Sequence, residues 1–190
     1  NALRDNTSGT ANAAFGSSAL LDNETGSYNS AIGVSSLENL VSGSSNVAVG
    51  FAAGLNLNTG SNNVAVGRQA MNKQTSASGN TAFGHNASYE NLAGTGIAAF
   101  GYQALYANTG ANNTALGHQA GENISSGSSN TLVGIGTMGP NAAAVATGSN
   151  NSGVGYFALG KTQSGGNNSA LGYQAGYNIT TGSNNSALGY

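Results

Sequence analysis

The sequence predicts an all-β protein, a parallel β-solenoid of about eleven stacked rungs, each about seventeen residues long. Three observations predict this fold: a pentad that recurs at a nearly constant interval, large apolar residues next to small ones within it, and Gly, Ser and Asn between pentads. Apolar residues that alternate at a spacing of two are typical of strands, and the Gly, Ser and Asn residues between pentads are typical of turns. A unit this small cannot enclose a core, so neighbouring units must share one.

The repeated pentad is Asn, any residue, Ala, a large apolar residue and Gly. Its closing Gly stands at 16, 33, 50, 67, 84, 101, 117, 134, 155, 172 and 189. Eight of the ten intervals are 17 residues, one is 16 and one is 21. This regularity predicts a single array over residues 1–190, with an outward loop in the longer rung, at 135–150. Positions within a rung are numbered from this Gly, so position 1 follows it. In the shorter and the longer rung, positions 10 to 17 are counted back from the next closing Gly, which is position 17.

Composition favours a folded array and excludes several classes of partner. The formal net charge is only -2 and 38% of the residues are hydrophobic, whereas disordered chains combine high charge with few apolar residues. Four basic residues are too few to neutralise a run of phosphates, so we expect no nucleic-acid partner. Without a run of eighteen apolar residues, membrane insertion is not expected either.

Two neighbouring positions of the pentad predict how the strand is covered. Position 16 is always large and apolar, and position 15 is nearly always Ala. Because consecutive side chains of a strand point to opposite faces, both faces carry apolar groups. We expect the small residues to face the interior of the roll and the large ones to meet another chain, which predicts an obligate oligomer.

The remaining repeated positions predict structural roles. Position 13 is Asn in ten of the eleven rungs, and stacked Asn amides can form a hydrogen-bonded ladder. The Gly that closes each pentad indicates a sharp bend or a contact without room for a Cβ atom. A second short strand is expected around the Ala at position 3, followed by a turn near the Gly at position 10.

Several pentads resemble repeats of a known family. NSAIG (29–33), NVAVG (46–50) and the longer segment NSALGYQAGYNITTGSNNSALG (168–189) are similar to YadA-like head repeats of trimeric autotransporter adhesins, and to repeats of bacteriophage tail fibres and giant bacterial surface proteins. The resemblance covers nearly the whole chain, although the rung here is longer than the adhesin repeat. It implies a left-handed β-roll, a side-by-side homotrimer and a role in projection or attachment.

Both ends of the chain are in phase with the repeat. Residues 1–3 align with residues 103–105, and Tyr190 stands at position 1. Solenoids normally end in atypical capping repeats. We therefore expect an uncapped array that continues end to end into a longer fibre.

No enzymatic, cofactor or metal site is expected. Residues 134–139 read GIGTMG, but Pro140 prevents the helix that a dinucleotide-binding motif requires, and no acidic residue follows Glu122. His85 and His118 share a position two rungs apart, about 10 Å, which is too far for one metal ion. The carboxylates are scattered without a convergent pair.

Two groups of residues remain as candidates for surface contacts. Aromatic residues at positions 1 and 5 form either packing ladders or a strip for a surface glycan, and the loop of the longer rung is a candidate for a specific contact. The residues concerned are Tyr102, Tyr156, Tyr173, Tyr106, Tyr177, Pro140 and Asn141.

The sequence thus favours a structural segment of a fibre on a cell surface or virion, or otherwise outside the cell. Glycan binding is the alternative. Ice binding is a remote third, because Thr81, Thr114 and Thr131 form only a broken row.

Overall fold

A computed structural model describes residues 1–139 and 145–190. In this part of the chain there are eleven three-residue strands, all parallel and arranged in chain order in one sheet. The strands are β1 (Ala13–Phe15), β2 (Ser30–Ile32), β3 (Val47–Val49), β4 (Val64–Val66), β5 (Thr81–Phe83), β6 (Ala98–Phe100), β7 (Thr114–Leu116), β8 (Thr131–Val133), β9 (Ser152–Val154), β10 (Ser169–Leu171) and β11 (Ser186–Leu188). The predicted parallel β-solenoid is confirmed.

Every strand pairs in register with the next, so equivalent positions stack. Ala14 lies beside Ala31, and Phe15 lies beside Ile32. The register also survives the short rung, where Phe100 pairs with Leu116, and the long one, where Val133 pairs with Val154. The deletion and the insertion are therefore absorbed outside the strands, as expected for loops on a solenoid.

The expected second strand is wrong. Residues after each Gly form turns, and positions 2 and 4 have positive φ, for example 58° at Ser18 and 49° at Leu20. Because left-handed residues at positions 2 and 4 alternate with a residue of negative φ at position 3, the backbone turns tightly here and does not form an extended strand. Their N–H groups still reach the next rung, since Leu20 donates to Ser36 O at 3.0 Å. These bonds offset a conformational cost of about 1–2 kcal/mol per left-handed residue.

The core lies between the strands and these turns. Ala31 and Ala48 of the small position are fully buried, as predicted, and they meet large residues at positions 4 and 7, such as Leu37 and Leu40. Where position 4 is Gly121, its missing Cβ leaves space next to Ile124. Leu105 of the preceding rung also reaches this place, so space in the core is shared between rungs and position 4 does not repeat one residue.

The Asn ladder is confirmed. Asn46 Oδ1 accepts hydrogen bonds from the backbone N and from Nδ2 of Asn63, at 3.0 and 3.1 Å. At the one rung without Asn, the backbone N of Ile97 still bonds to Asn80 Oδ1 at 2.9 Å. Asn113 Nδ2 compensates by donating to Asn108 Oδ1 at 2.8 Å. The side-chain amides of the column are therefore hydrogen-bonded on both sides of Ile97.

A second ladder of hydroxyl groups stabilises the opposite side of the turn. At position 11, the backbone N of Ser27 donates to Ser44 Oγ at 3.1 Å, and Ser44 N donates to Ser61 Oγ at 3.0 Å. The sequence signal for this ladder is the frequent Ser or Thr at position 11. Sequence reasoning missed it because Ser is abundant in every turn of this chain.

Candidate assembly surface and polar groove

The outer face of the sheet carries a continuous apolar column, defined as the side chains at position 16. Most of these side chains are exposed in a single chain, from 38% at Phe100 to 84% at Leu188. Phe83 and Phe100 stack with ring centroids 5.4 Å apart. The other members are Phe15, Ile32, Val49, Val66, Leu116, Val133, Val154 and Leu171. An apolar stripe of this length is typical of an interaction surface.

Charge is kept away from the apolar column. Neither outward position of the strand, 14 or 16, holds a charged residue in any rung. Nine of the ten charged residues occupy positions 5, 6 and 8, at the far corner of the rung. Among the described residues three ion pairs form there: Arg4–Asp5 at 2.7 Å, Lys73–Glu90 at 2.8 Å and the longer Arg4–Asp22 at 4.0 Å. The outer face of the sheet therefore suits an apolar neighbour.

The two shorter ion pairs are exposed, and each includes a group whose pKa is shifted. The hydrogen bond from Arg4 lowers the pKa of the Asp5 carboxyl below its usual value. The hydrogen bond to Glu90 raises the pKa of the Lys73 ammonium. Water screens such pairs, so they contribute little to stability and serve mainly to balance charge at this corner.

Three of the candidate tyrosines lie in the column at position 1, where Ile135 separates two stacks of rings. Tyr156 and Tyr173 lie with ring centroids 5.2 Å apart and planes 8° apart. Tyr102 lies between His85 and His118, at 5.4 and 5.0 Å. Each of these tyrosines therefore has at least one ring face occupied by a neighbouring ring. This arrangement favours packing ladders over a platform on which a sugar could stack.

The other two candidate tyrosines lie on a different edge, at position 5. Tyr106 stacks on Tyr89 with centroids 5.2 Å apart, and burial raises the pKa of its hydroxyl. Tyr177 lies under Lys161 Nζ, 4.9 Å from the ring centroid. The five tyrosines thus do not form a single strip. Pro140 and Asn141 lie outside the described residues.

A polar groove runs along the corner that carries the charged residues. It has a volume of about 650 Å³, and its lining residues are Asn39, Asn56, Asn58, Thr59, Lys73, Thr75, Ser76 and Leu92. Asn39 Nδ2 donates to Asn56 Oδ1 at 3.0 Å, which fixes one wall. Asn58 and Thr59 are exposed on the other wall, and Leu92 adds an apolar patch that is 51% exposed. Sequence reasoning did not identify this groove, because its residues come from four different rungs.

The other sequence candidates have no convergent chemistry in the described ranges, 1–139 and 145–190. No group of three or more metal-ligating side chains occurs there, and no helix there is long and apolar enough to cross a membrane. Gly134 and Gly136 of the glycine-rich segment belong to the turns that end and follow β8. Thr114 and Thr131 are adjacent and exposed on the sheet, but Ala98 interrupts the row to Thr81.

Comparison with protein-family models, curated proteins and solved structures gives no match to this chain.

Proposed function

We propose that the chain is a non-enzymatic structural segment of an extracellular or virion-surface fibre, in which copies assemble side by side through the apolar column. The observation that carries the proposal is the exposure of large apolar side chains on an uncharged face in most rungs. Each such side chain contributes roughly 1.5–3 kcal/mol when it is removed from water. A single chain leaves these side chains in water, and side-by-side assembly of copies is favoured because it buries them.

The repeat geometry supports a lateral assembly along the whole rod. Rungs stack at about 4.8 Å, so eleven rungs give a rod about 50 Å long. Parallel copies have the same rung spacing, and their apolar columns can therefore meet rung by rung. The resemblance to adhesin heads favours three copies around a common axis.

The proposal predicts that polar substitutions on the apolar column separate the copies without unfolding them. In the triple variant Ile32→Ser, Phe83→Ser and Leu116→Ser we expect self-association at least about a hundredfold weaker, equivalent to about 2.7 kcal/mol. Sedimentation equilibrium measures the association, and circular dichroism checks the fold.

A matched control is Leu92→Ser, which removes an equally exposed apolar side chain outside the apolar column. This variant should assemble like the unmodified chain. A wild-type chain that stays monomeric at about 100 micromolar, roughly a hundredfold above a Kd of about 1 micromolar, would contradict the proposal.

The polar groove favours a second candidate function, recognition of a surface glycan. Carboxamide and hydroxyl groups both donate and accept hydrogen bonds, as sugar hydroxyls require, and Leu92 offers an apolar contact. Lys73 is already neutralised by Glu90, so an uncharged saccharide fits best.

The glycan hypothesis predicts that Asn58→Ala with Thr59→Ala weakens saccharide binding at least about tenfold, since each lost hydrogen bond contributes about 0.5–1.5 kcal/mol. Thr180→Ala with Thr181→Ala changes the same positions, 8 and 9, in another rung and should bind normally. A glycan array identifies the saccharide and calorimetry measures its affinity. Absence of any glycan signal for the wild-type chain would exclude this function.

A further inference from the structure

Arg68, the one charged residue that the sequence places at position 1, belongs to a row that also holds His85, Tyr102 and His118. Arg68 Nη1 lies 2.9 Å from His85 Nε2, and the Arg68 guanidinium lies 5.6 Å from the Phe51 ring centroid. On the other side of His85 the row continues through Tyr102 to His118. In sequence, this row at position 1 and the apolar column at position 16 are separated by one residue, the closing Gly of the pentad.

The contact between Arg68 and His85 requires a neutral imidazole. A guanidinium group has donors and no acceptor, so His85 Nε2 must accept the hydrogen bond and carry no proton. When His85 takes up a proton, this hydrogen bond is lost and two cations become neighbours. His118 adds a third positive charge within about 15 Å, the height of three rungs.

No carboxylate of the neighbouring columns can balance these charges. The groups that face His85 along the row are Arg68 on one side and Tyr102, followed by His118, on the other. Positions 14, 16 and 2, which flank the row, hold no Asp or Glu in any rung. Of the acidic residues in these rungs, Glu90 is bonded to Lys73 at the far corner, and Glu122 accepts a hydrogen bond from Gln119 at 3.2 Å.

We propose that proton uptake by His85 and His118 makes the edge of the apolar column repulsive, so that side-by-side assembly is weaker in mildly acidic than in neutral solution. This inference rests on the proposed lateral assembly. Burying unpaired charges next to an interface is costly, and in parallel copies the same charges face one another. The fibre segment would then separate its copies in mildly acidic surroundings.

Sedimentation equilibrium at pH 7.5 and 5.0 tests the inference. For the wild-type chain we expect self-association at least about tenfold weaker at the lower pH. His85→Tyr with His118→Tyr introduces the residue that the row already holds at Tyr102 and Tyr156, so stacking is retained. We expect this variant to associate equally at both pH values.

His85→Lys with His118→Lys provides the permanently charged counterpart, and it should associate weakly even at pH 7.5. Equal association of the wild-type chain at both pH values would overturn the switch and leave the fibre proposal intact. A wild-type chain that does not associate at pH 7.5 would overturn both. Persistent pH dependence in the tyrosine variant would assign the effect to other groups and overturn the role of the histidines.

Discussion

Replacing Gly84 by Val is expected to unfold the rungs that meet at this residue and to lower the melting temperature by about 10 °C or more. Gly84 has φ of 139°, a conformation that a β-branched residue does not tolerate. A Cβ atom there would also collide with the backbone carbonyl of Gly101 in the next rung. The stack cannot relax around this collision without breaking the ladder between β5 and β6. Thermal denaturation followed by circular dichroism measures the loss, and amide exchange locates it.

Gly79 provides the matched control, because it also has positive φ, 71°, but no heavy atom lies within 4 Å of its missing Cβ. Its position, 12, holds Asn62 and Asn112 in other rungs, both left-handed. Gly79→Asn should therefore change the free energy of unfolding by less than about 1 kcal/mol. If Gly84→Val melts like Gly79→Asn, close packing at the closing Gly is not what holds the rungs together.

Strand positions could be predicted because the strand is where every rung repeats the same residues. The interval between closing Gly residues defines the register, and alternation of Ala31 with Ile32 defines which side faces the core. Even the insertion before β9 is visible as a longer interval. Apolar residues that alternate with a period of two, and a constant repeat length, can both be read from the sequence without knowledge of tertiary contacts.

The turns could not be predicted in the same way. Leu20 and Met71 adopt left-handed conformations that their side chains disfavour, and hydrogen bonds to the neighbouring rung and burial in the core stabilise them there. At Gly54 the place of a side chain is taken by Leu37 of the preceding rung, which hides the periodicity of position 4. Propensity describes single residues, whereas these features depend on contacts between rungs.

The candidate site was predictable in part. Stacking of Tyr102, Tyr156 and Tyr173 follows from their shared position, but coverage of their ring faces depends on side-chain orientation. The polar groove combines Asn39 with Leu92, which are three rungs apart. Such a surface becomes visible only when the rungs are stacked in space.

The Asn ladder leads to a second large effect: Asn63→Leu is expected to cost more than about 4 kcal/mol. Asn63 is 2% exposed, and its side chain donates to Asn46 Oδ1 and Ala77 O while it accepts from Asn80 N and Gln74 Nε2. Leu has nearly the same volume but makes none of these bonds. Asn80 N would then remain buried without a partner, at about 1–3 kcal/mol, and Asn46 Oδ1, Ala77 O and Gln74 Nε2 would each keep one bond and lose another, at about 0.5–1.5 kcal/mol each.

Ile97 offers the comparison, because it fills the same position with an apolar side chain that is also 2% exposed. Ile97→Leu conserves volume and removes no hydrogen bond, so it should cost less than about 1.5 kcal/mol. Urea denaturation of both variants measures the difference. Equal losses would show that the position needs only a side chain of the right volume. A large loss for Asn63→Leu alone would instead assign the cohesion of the rungs to the buried amide ladder, with the exposed apolar column left available for contacts between chains.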